Sequence, residues 1–452
     1  MKTNHIRHAV RKSLRFSILD GSAYAAMIGL TQNFITPLAL ELKANTTQIA
    51  WLASLPSFTM AAAQLAAPDL SERAGSRKGF ILPVCFLHAL MFIPILLVPY
   101  LFNVSPVWWL IGFVTISTVL GAITFPPWGS MMADLVPQRL RGKYFGARGM
   151  IMGFITQVFF YIAGGVLTLF SGAIFTGYVV LFAAATFFRL LSAYFISRMY
   201  EPPQTTSQEK GPGLFELIRN IGSSNLGKFI VFFALIDFSV CISSPFFTVF
   251  MMRDLNFSYI VFVIVCSASQ ISNILFLPFW GRRADKSGNL KVVQITSVLM
   301  PLIPILWIFS DSIFYLVFAN IFSGFVWSGF GLAGTNFAYD ASEPENRTKY
   351  LAIFAAIDGI ACAFGVLLGG YIAPHLPELF GYQLRTLFTI SGVMRGLVVL
   401  FLLRKITEVR RVADISHWQL LVGRTGDKRW ITGRSKYTYR KRETTDKSDG
   451  NA

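Results

Sequence analysis

Apolar residues in this chain do not alternate with polar ones; they come in runs of about twenty, each ended by a short polar stretch. A run of that length spans a bilayer core of about 30 Å as an α-helix. Twelve such spans are predicted: 18–40, 47–68, 79–101, 107–128, 147–170, 174–197, 229–251, 257–280, 291–310, 313–336, 349–373 and 384–404. The ten-residue alternation of a membrane barrel is missing, so helices are the spanning elements expected. Lys2, Arg7, Arg11, Lys12 and Arg15 precede the first run as they would in a signal peptide. That run is too long for one and has no small-residue cleavage site, so it is expected to be a retained first helix.

Composition agrees. Of 452 residues 54% are hydrophobic and 14% charged, against about 25% charged in soluble chains. A net charge of +17 raises the question of nucleic acid, but its distribution excludes that partner. Thirty-five of the 40 Lys and Arg residues fall at the N-terminus, at the tail or in alternate connections; the other connections carry only Lys43, Arg253 and Arg385. The positive-inside rule then places both termini in the cytoplasm, with the lipid surface as the partner of the charge.

The expected organisation is a cytoplasmic N-terminus (1–17), a six-helix bundle (18–200), a cytoplasmic linker (201–227), a second six-helix bundle (228–404) and a basic tail (405–452). In the linker Leu214, Leu217, Ile218 and Ile221 recur at helical spacing, which suggests an interfacial amphipathic helix. Cys85, Cys241, Cys266 and Cys362 fall in separate spans, without metal or disulfide spacing, and are expected to be unlinked core residues. No metal site, cofactor motif or nucleophile–base pair is found, so no enzyme and no cofactor is expected.

The halves repeat one another. Residues 281–288 form G-x-x-x-D-[RK]-x-G with Gly281, Asp285, Lys286 and Gly288; residues 68–75 keep the frame with Pro68, Glu72, Arg73 and Gly75. Ile93-Pro94-Ile95-Leu96 recurs at 303–306. Asp134, Arg141, Tyr144, Arg189 and Arg198 recur as Asp340, Arg347, Tyr350, Arg395 and Arg404. An old duplication of a six-helix unit accounts for this pattern.

With both motifs between spans 2–3 and 8–9, the chain resembles a transporter of the major facilitator superfamily, bacterial in type, over residues of about 15–405. The resemblance implies an all-α membrane protein of twelve transmembrane helices in two six-helix repeats, working as a monomer in the plasma membrane. It also implies a solute site near the midplane. Two features depart from family patterns: span 4 lacks an Arg or Lys, and Tyr161 stands where drug antiporters would place Pro.

Repeated residues describe common machinery. The resemblance implies an inner latch of Glu72, Arg73, Gly75, Arg77, Gly281, Asp285, Lys286 and Gly288, joined by Asp134, Arg141, Arg189, Asp340, Arg347 and Arg395. Gly suits the tight turn, and an acid can accept from helix N-terminal amides. Arg189 and Arg395 lie nine residues inside their spans, about 13 Å deep. Each is expected to turn toward the cytoplasmic surface and pair with the Asp of its own half, Asp134 or Asp340, or with an equivalent inner acid.

Asp237 in span 7 and Asp358 in span 11 have no acidic counterpart; Tyr24 and Met152 occupy the matching positions. A carboxylate at that depth is costly to ionise, which makes each a candidate for proton coupling or solute binding. Asp237, Cys241, Ser244 and Thr248 are expected on one helix face. Gln32, Asn33, Gln64, Gln157, Ser244, Gln270, Asn273, Asn320 and Trp327 are further cavity candidates; such amides also serve as helix–helix hydrogen bonds. His88 is expected to pack or hydrogen-bond at the bundle periphery. The expected function is secondary transport of a small solute by alternating access, symport or antiport, with protons as a candidate coupling ion. The alternative is a transporter-like sensor or scaffold without net flux.

Overall fold

The computed structural model describes residues 2–137, 140–202, 224–342 and 347–409. The expected linker helix and nearly all of the basic tail lie outside the described residues. Described residues are helical nearly throughout, and ten helical stretches are long and apolar enough to cross a membrane. Spans 1 and 2 fall outside that set. Lys2–Thr31 carries Arg11, Lys12, Arg15 and Asp20, and several side chains of Thr46–Arg73 lie outside the described residues.

Prolines break several spans where a backbone donor is missing. Span 3 divides into Arg77–Leu90 and Phe92–Leu101, and span 4 into Pro106–Ile123 and Phe125–Leu135. Span 7 divides into Asn225–Cys241 and Ser244–Val249, with Pro245 in the first turn of the second piece. Span 1 breaks at the corresponding place: a 3-10 turn at Gln32–Phe34 separates Lys2–Thr31 from Ile35–Glu41. The break in span 7 ends the expected stripe after Cys241, and Ser244 is exposed beyond it.

The halves are joined most tightly at the end that holds residues 42–45 and 255–258, the outer end in the charge-based topology. Phe34 of span 1, Phe160 of span 5 and Phe262 of span 8 form one aromatic cluster, with centroids 5.4–6.2 Å apart. Tyr259 donates to Glu41 (2.8 Å) and meets the hydroxyl of Tyr178 (3.1 Å). Gln157 donates to Ser267 at 2.8 Å, tying span 5 to span 8. Small residues allow these approaches. A Cβ on Gly370 would lie 2.1 Å from that of Ala50, and one on Gly164 would lie 2.5 Å from Val263. Small-residue contacts of this kind let membrane helices touch backbone to backbone.

Candidate functional site

In the second half the two unrepeated acids come together. Spans 7 and 11 cross so closely that a Cβ on Gly365 would lie 2.3 Å from the carbonyl oxygen of Phe238. Beside Phe238 on span 7 and two turns before Gly365 on span 11, Asp237 and Asp358 lie close enough for their carboxyls to interact. One oxygen of each, Oδ1, is buried without a partner.

Arg395 lies beside Asp237. Its guanidinium donates to the Met300 carbonyl (3.2 Å) and to Ser243 (3.1 Å), and its Nε has no partner. Four residues along each helix from the acids, Cys241 and Cys362 form a disulfide with Cα atoms 5.2 Å apart. The expectation of four unlinked cysteines therefore fails for this pair: the close helix crossing brings together thiols 121 residues apart in sequence. Cys85 and Cys266 are free.

The first half has a different centre. A cavity of about 380 Å³ is lined by Asp20, Tyr24, Gln32, His88, Trp128, Arg148 and Arg189 among others. Arg189 donates to His88 Nδ1 (3.1 Å), Ser192 (3.1 Å) and Cys85 (3.0 Å). Ser192 in turn donates to Asp20 at 2.6 Å. Arg148 approaches Asp20 at 3.5 Å, lies 4.3 Å above the Trp128 ring and donates to the Ser17 carbonyl. Arg189 lies 5.1 Å from the Tyr24 ring. Tyr24 and Asp237 hold matching positions in the repeat, so each repeated arginine sits against its half's variable residue.

This overturns the expected pairing of Arg189 with Asp134 and of Arg395 with Asp340. Both arginines turn inward to neutral partners, because the inner acids are already engaged. Asp134 accepts from Arg77 at 2.7 Å, and Arg77 also donates to Ser130 and to the Pro202 carbonyl. Asp340 accepts from Asn289 at 2.7 Å. Glu201 accepts from Ser76 and from the Lys78 amide; Glu408 accepts from the Leu290 amide. Each half thus has the same inner corner: the start of span 3 or 9, the Asp that ends span 4 or 10, and a Glu after span 6 or 12.

A family model for the Major Facilitator Superfamily matches residues 21–246 and again residues 229–435. The chain belongs to this superfamily. It is a multi-pass membrane protein built on two copies of the superfamily's helical unit. A multi-drug resistance efflux pump, PmrA, of Streptococcus pneumoniae is 32% identical over 126 residues, covering 28% of this chain and 30% of the relative. The class B tetracycline resistance protein of Escherichia coli is 23% identical over 156 residues, 34% of this chain and 37% of the relative. These matches span about a third of each relative's length. A crystal structure of a mutant of the nucleoside transporter NupG superposes with a TM-score of 0.72 at 16% identity, covering 88% of this chain and all of that one. That of a D-xylose-proton symporter superposes with a TM-score of 0.68 at 14% identity, covering 90% and 100%. The shared fold is that of the superfamily.

Within that fold the predicted residues separate. Asp237 and Asp358 meet each other; Arg77 meets Asp134; Gln32 lines the first-half cavity. Gln157 is taken by the contact to Ser267, and Asn320 donates to Leu316 of its own helix. Trp327 stands edge-on to Phe330. Asn33, Gln270 and Asn273 are half-buried on their helices. Gly75 and Gly288 have positive φ, 67° and 88°, a backbone conformation that favours glycine. Glu72, Arg73, Asp285 and Lys286 are exposed, and Gly281 is half-buried. The side chains of Gln64, Arg141 and Arg347 lie outside the described residues. His88 is buried rather than peripheral.

Sequence reasoning missed Asp20, Arg148, Glu201 and Glu408. Glu201 and Glu408 repeat at nearly the offset of Arg198 and Arg404, so the same comparison could have found them. Asp20 carries the signal that singled out Asp237, an unrepeated charge within an apolar run. Arg148 stands among the inner-loop cations in sequence, and nothing there sets it apart from them.

Proposed function

We propose that this protein is a secondary transporter of a small solute that works by alternating access, with the Asp237–Asp358 pair carrying the coupled proton. Twelve spans with both termini in the cytoplasm, divided into bundles of 18–200 and 228–404, form two halves that rock about the midplane. The plasma membrane is its location and the single chain its working unit. The superfamily assignment and the fold support transport. The observation that carries the coupling step is the meeting of two carboxyls in the buried contact between spans 7 and 11. Two adjacent negative charges out of water repel strongly, so the pair holds a proton while closed. Water or solute reaching the site lets the carboxyls part and release it. The inner corners keep each half rigid as it moves, while the exposed Glu72, Arg73, Asp285 and Lys286 are positioned to meet partners when the inner end closes.

The test uses proteoliposomes enclosing a pH-sensitive dye. Solutes come from a panel of organic acids, amines, sugars and nucleosides, chosen by their ability to raise the protein's thermal midpoint. Wild type is expected to move protons with the solute. D237N and D358N are expected to abolish that proton movement while leaving solute exchange partly intact. Normal proton movement in both variants would end the coupling proposal. Binding without flux for every ligand found would favour a sensor.

A further inference from the structure

We propose that the first-half cavity is a binding site for an amphipathic organic monoanion, a carboxylate or sulfonate on an aromatic body. The proposal rests on the transporter reading for what the site is for, but the binding itself needs no flux.

The argument begins with charge. Three ionisable groups meet at the polar end of the cavity: Asp20, Arg148 and Arg189. His88 adds none. Arg189 donates to its Nδ1 at 3.1 Å, and an imidazolium has no acceptor, so this ring is neutral. The other partners of Arg189, Ser192 and Cys85, are neutral as well. Even with Asp20 ionised, one carboxylate faces two guanidiniums, and the cluster carries an unbalanced positive charge. Arg189 and Asp20 are 3% and 4% exposed, so water screens that charge poorly.

A second observation shows where the charge is available. The bonds of Arg189 use all three of its nitrogens. Arg148 is held more loosely: a long 3.5 Å approach to Asp20, one bond to Ser17 and a stacked contact with Trp128. It stands on the cavity wall with donor capacity left, and a planar guanidinium fits a carboxylate or sulfonate by paired hydrogen bonds. Elsewhere on the polar wall Thr31, Thr118 and Thr124 each donate to a carbonyl of their own helix, and Tyr24, Gln32, Ser117 and Trp128 supply only neutral donors.

The rest of the lining decides the body of the ligand. Tyr24, Phe92, Phe125, Trp128, Met27 and Met60 surround the space. Gly121 leaves room for the His88 ring, which a Cβ there would approach to 3.1 Å. At about 380 Å³ the cavity lies at the small end of ligand sites, roughly 300–1,000 Å³. Gln32 and Phe125 are exposed, so the site is reachable beside them. A flat hydrophobic body with one negative group matches both ends, and a second negative charge would be left next to Asp20 without a cation.

The experiment is calorimetric titration of the purified full-length protein with four probes of one shape: 2-naphthoate, naphthalene-2-sulfonate, 2-naphthamide and 2-naphthylmethylammonium. The two anions are expected to bind at least tenfold more tightly than the amide, with the ammonium weakest. R148Q is expected to bring naphthoate down to the affinity of the amide, and R148K, which keeps the charge, to retain a preference for the anions. Equal affinity for all four probes, preference for the ammonium, or naphthoate binding untouched by R148Q would overturn the proposal. The wild-type series decides by itself if the variants fail to fold. Loss of proton movement in the Asp237 and Asp358 variants would leave these affinities unchanged, so the two proposals fail separately.

Discussion

Replacing Gly370 by alanine should unlock the closed end of the bundle. The added methyl would lie 2.1 Å from the Ala50 Cβ and 3.3 Å from the Thr46 carbonyl oxygen, both on span 2 of the opposite half. Carbon atoms in contact sit about 3.5–4.0 Å apart, so spans 2 and 11 must separate by roughly 1.5 Å there. Ala50 is 1% exposed and has no flexible end that could move aside. Overpacking of this kind costs about 1–3 kcal/mol. The clash exists only while the halves are closed at this end, so the cost falls on one state. The population open at this end should rise roughly 5- to 150-fold.

The readout is labelling of a cysteine placed at Ala39, fully buried in the core shared by both halves. A membrane-impermeant maleimide is added from outside, and labelling is counted on that peptide, apart from Cys85 and Cys266. G370A should speed labelling by the same factor as the population shift. G177A is the control: its methyl would meet Phe170 at 3.0 Å within one half, so it strains the protein without opening it. Unchanged labelling in folded G370A protein, or equal acceleration by G177A, would refute the reasoning.

Two further outcomes follow from the geometry. The Arg77–Asp134 pair has its arginine buried and bonded to three groups, while Asp134 is partly exposed; R77D or D134R should cost ~2 kcal/mol, read as a lower thermal midpoint. The double swap R77D/D134R should recover part of that loss, whereas D134R with R189D should recover none, because those residues do not touch. Alkylation without reductant before and after unfolding, followed by digestion and mass spectrometry, should find Cys241 and Cys362 linked and Cys85 and Cys266 alkylated in the unfolded protein; alkylated Cys241 in native protein would contradict the disulfide.

The fold was readable because its signals are local or repeated. Apolar runs need only length, and the duplicated Asp, Arg and Gly positions need only one comparison between the halves. The site was readable only in part, because its chemistry depends on which helix faces which. Asp237 and Asp358 could be singled out as unrepeated acids, but their meeting requires the crossing of spans 7 and 11 that Gly365 and Gly369 permit. The same crossing pairs Cys241 with Cys362, which no spacing rule would suggest.

Arg189 and Arg395 show the limit from the other side. Depth and repetition pointed to acids of the same half, but the inner corners had already engaged those acids, and a buried guanidinium settles for whatever acceptors remain. In the first half these are a neutral imidazole, a hydroxyl and a thiol beside Tyr24. In the second they are a carbonyl and a hydroxyl beside Asp237. One inherited cation therefore has opposite consequences. In the proposed coupling step it supports a carboxylate of the acid pair once the proton leaves, whereas beside Asp20 and Arg148 the proposed anion site uses its positive charge. In the proposed scheme the division of labour between the halves, proton on one side and solute on the other, traces to two differences at matching positions, Tyr24 for Asp237 and Met152 for Asp358. Exchanging them tests it: Y24D should abolish the preference for naphthoate over naphthamide by neutralising the cluster. Survival of that preference in folded Y24D protein would show that the charge balance at Arg189 does not govern the cavity.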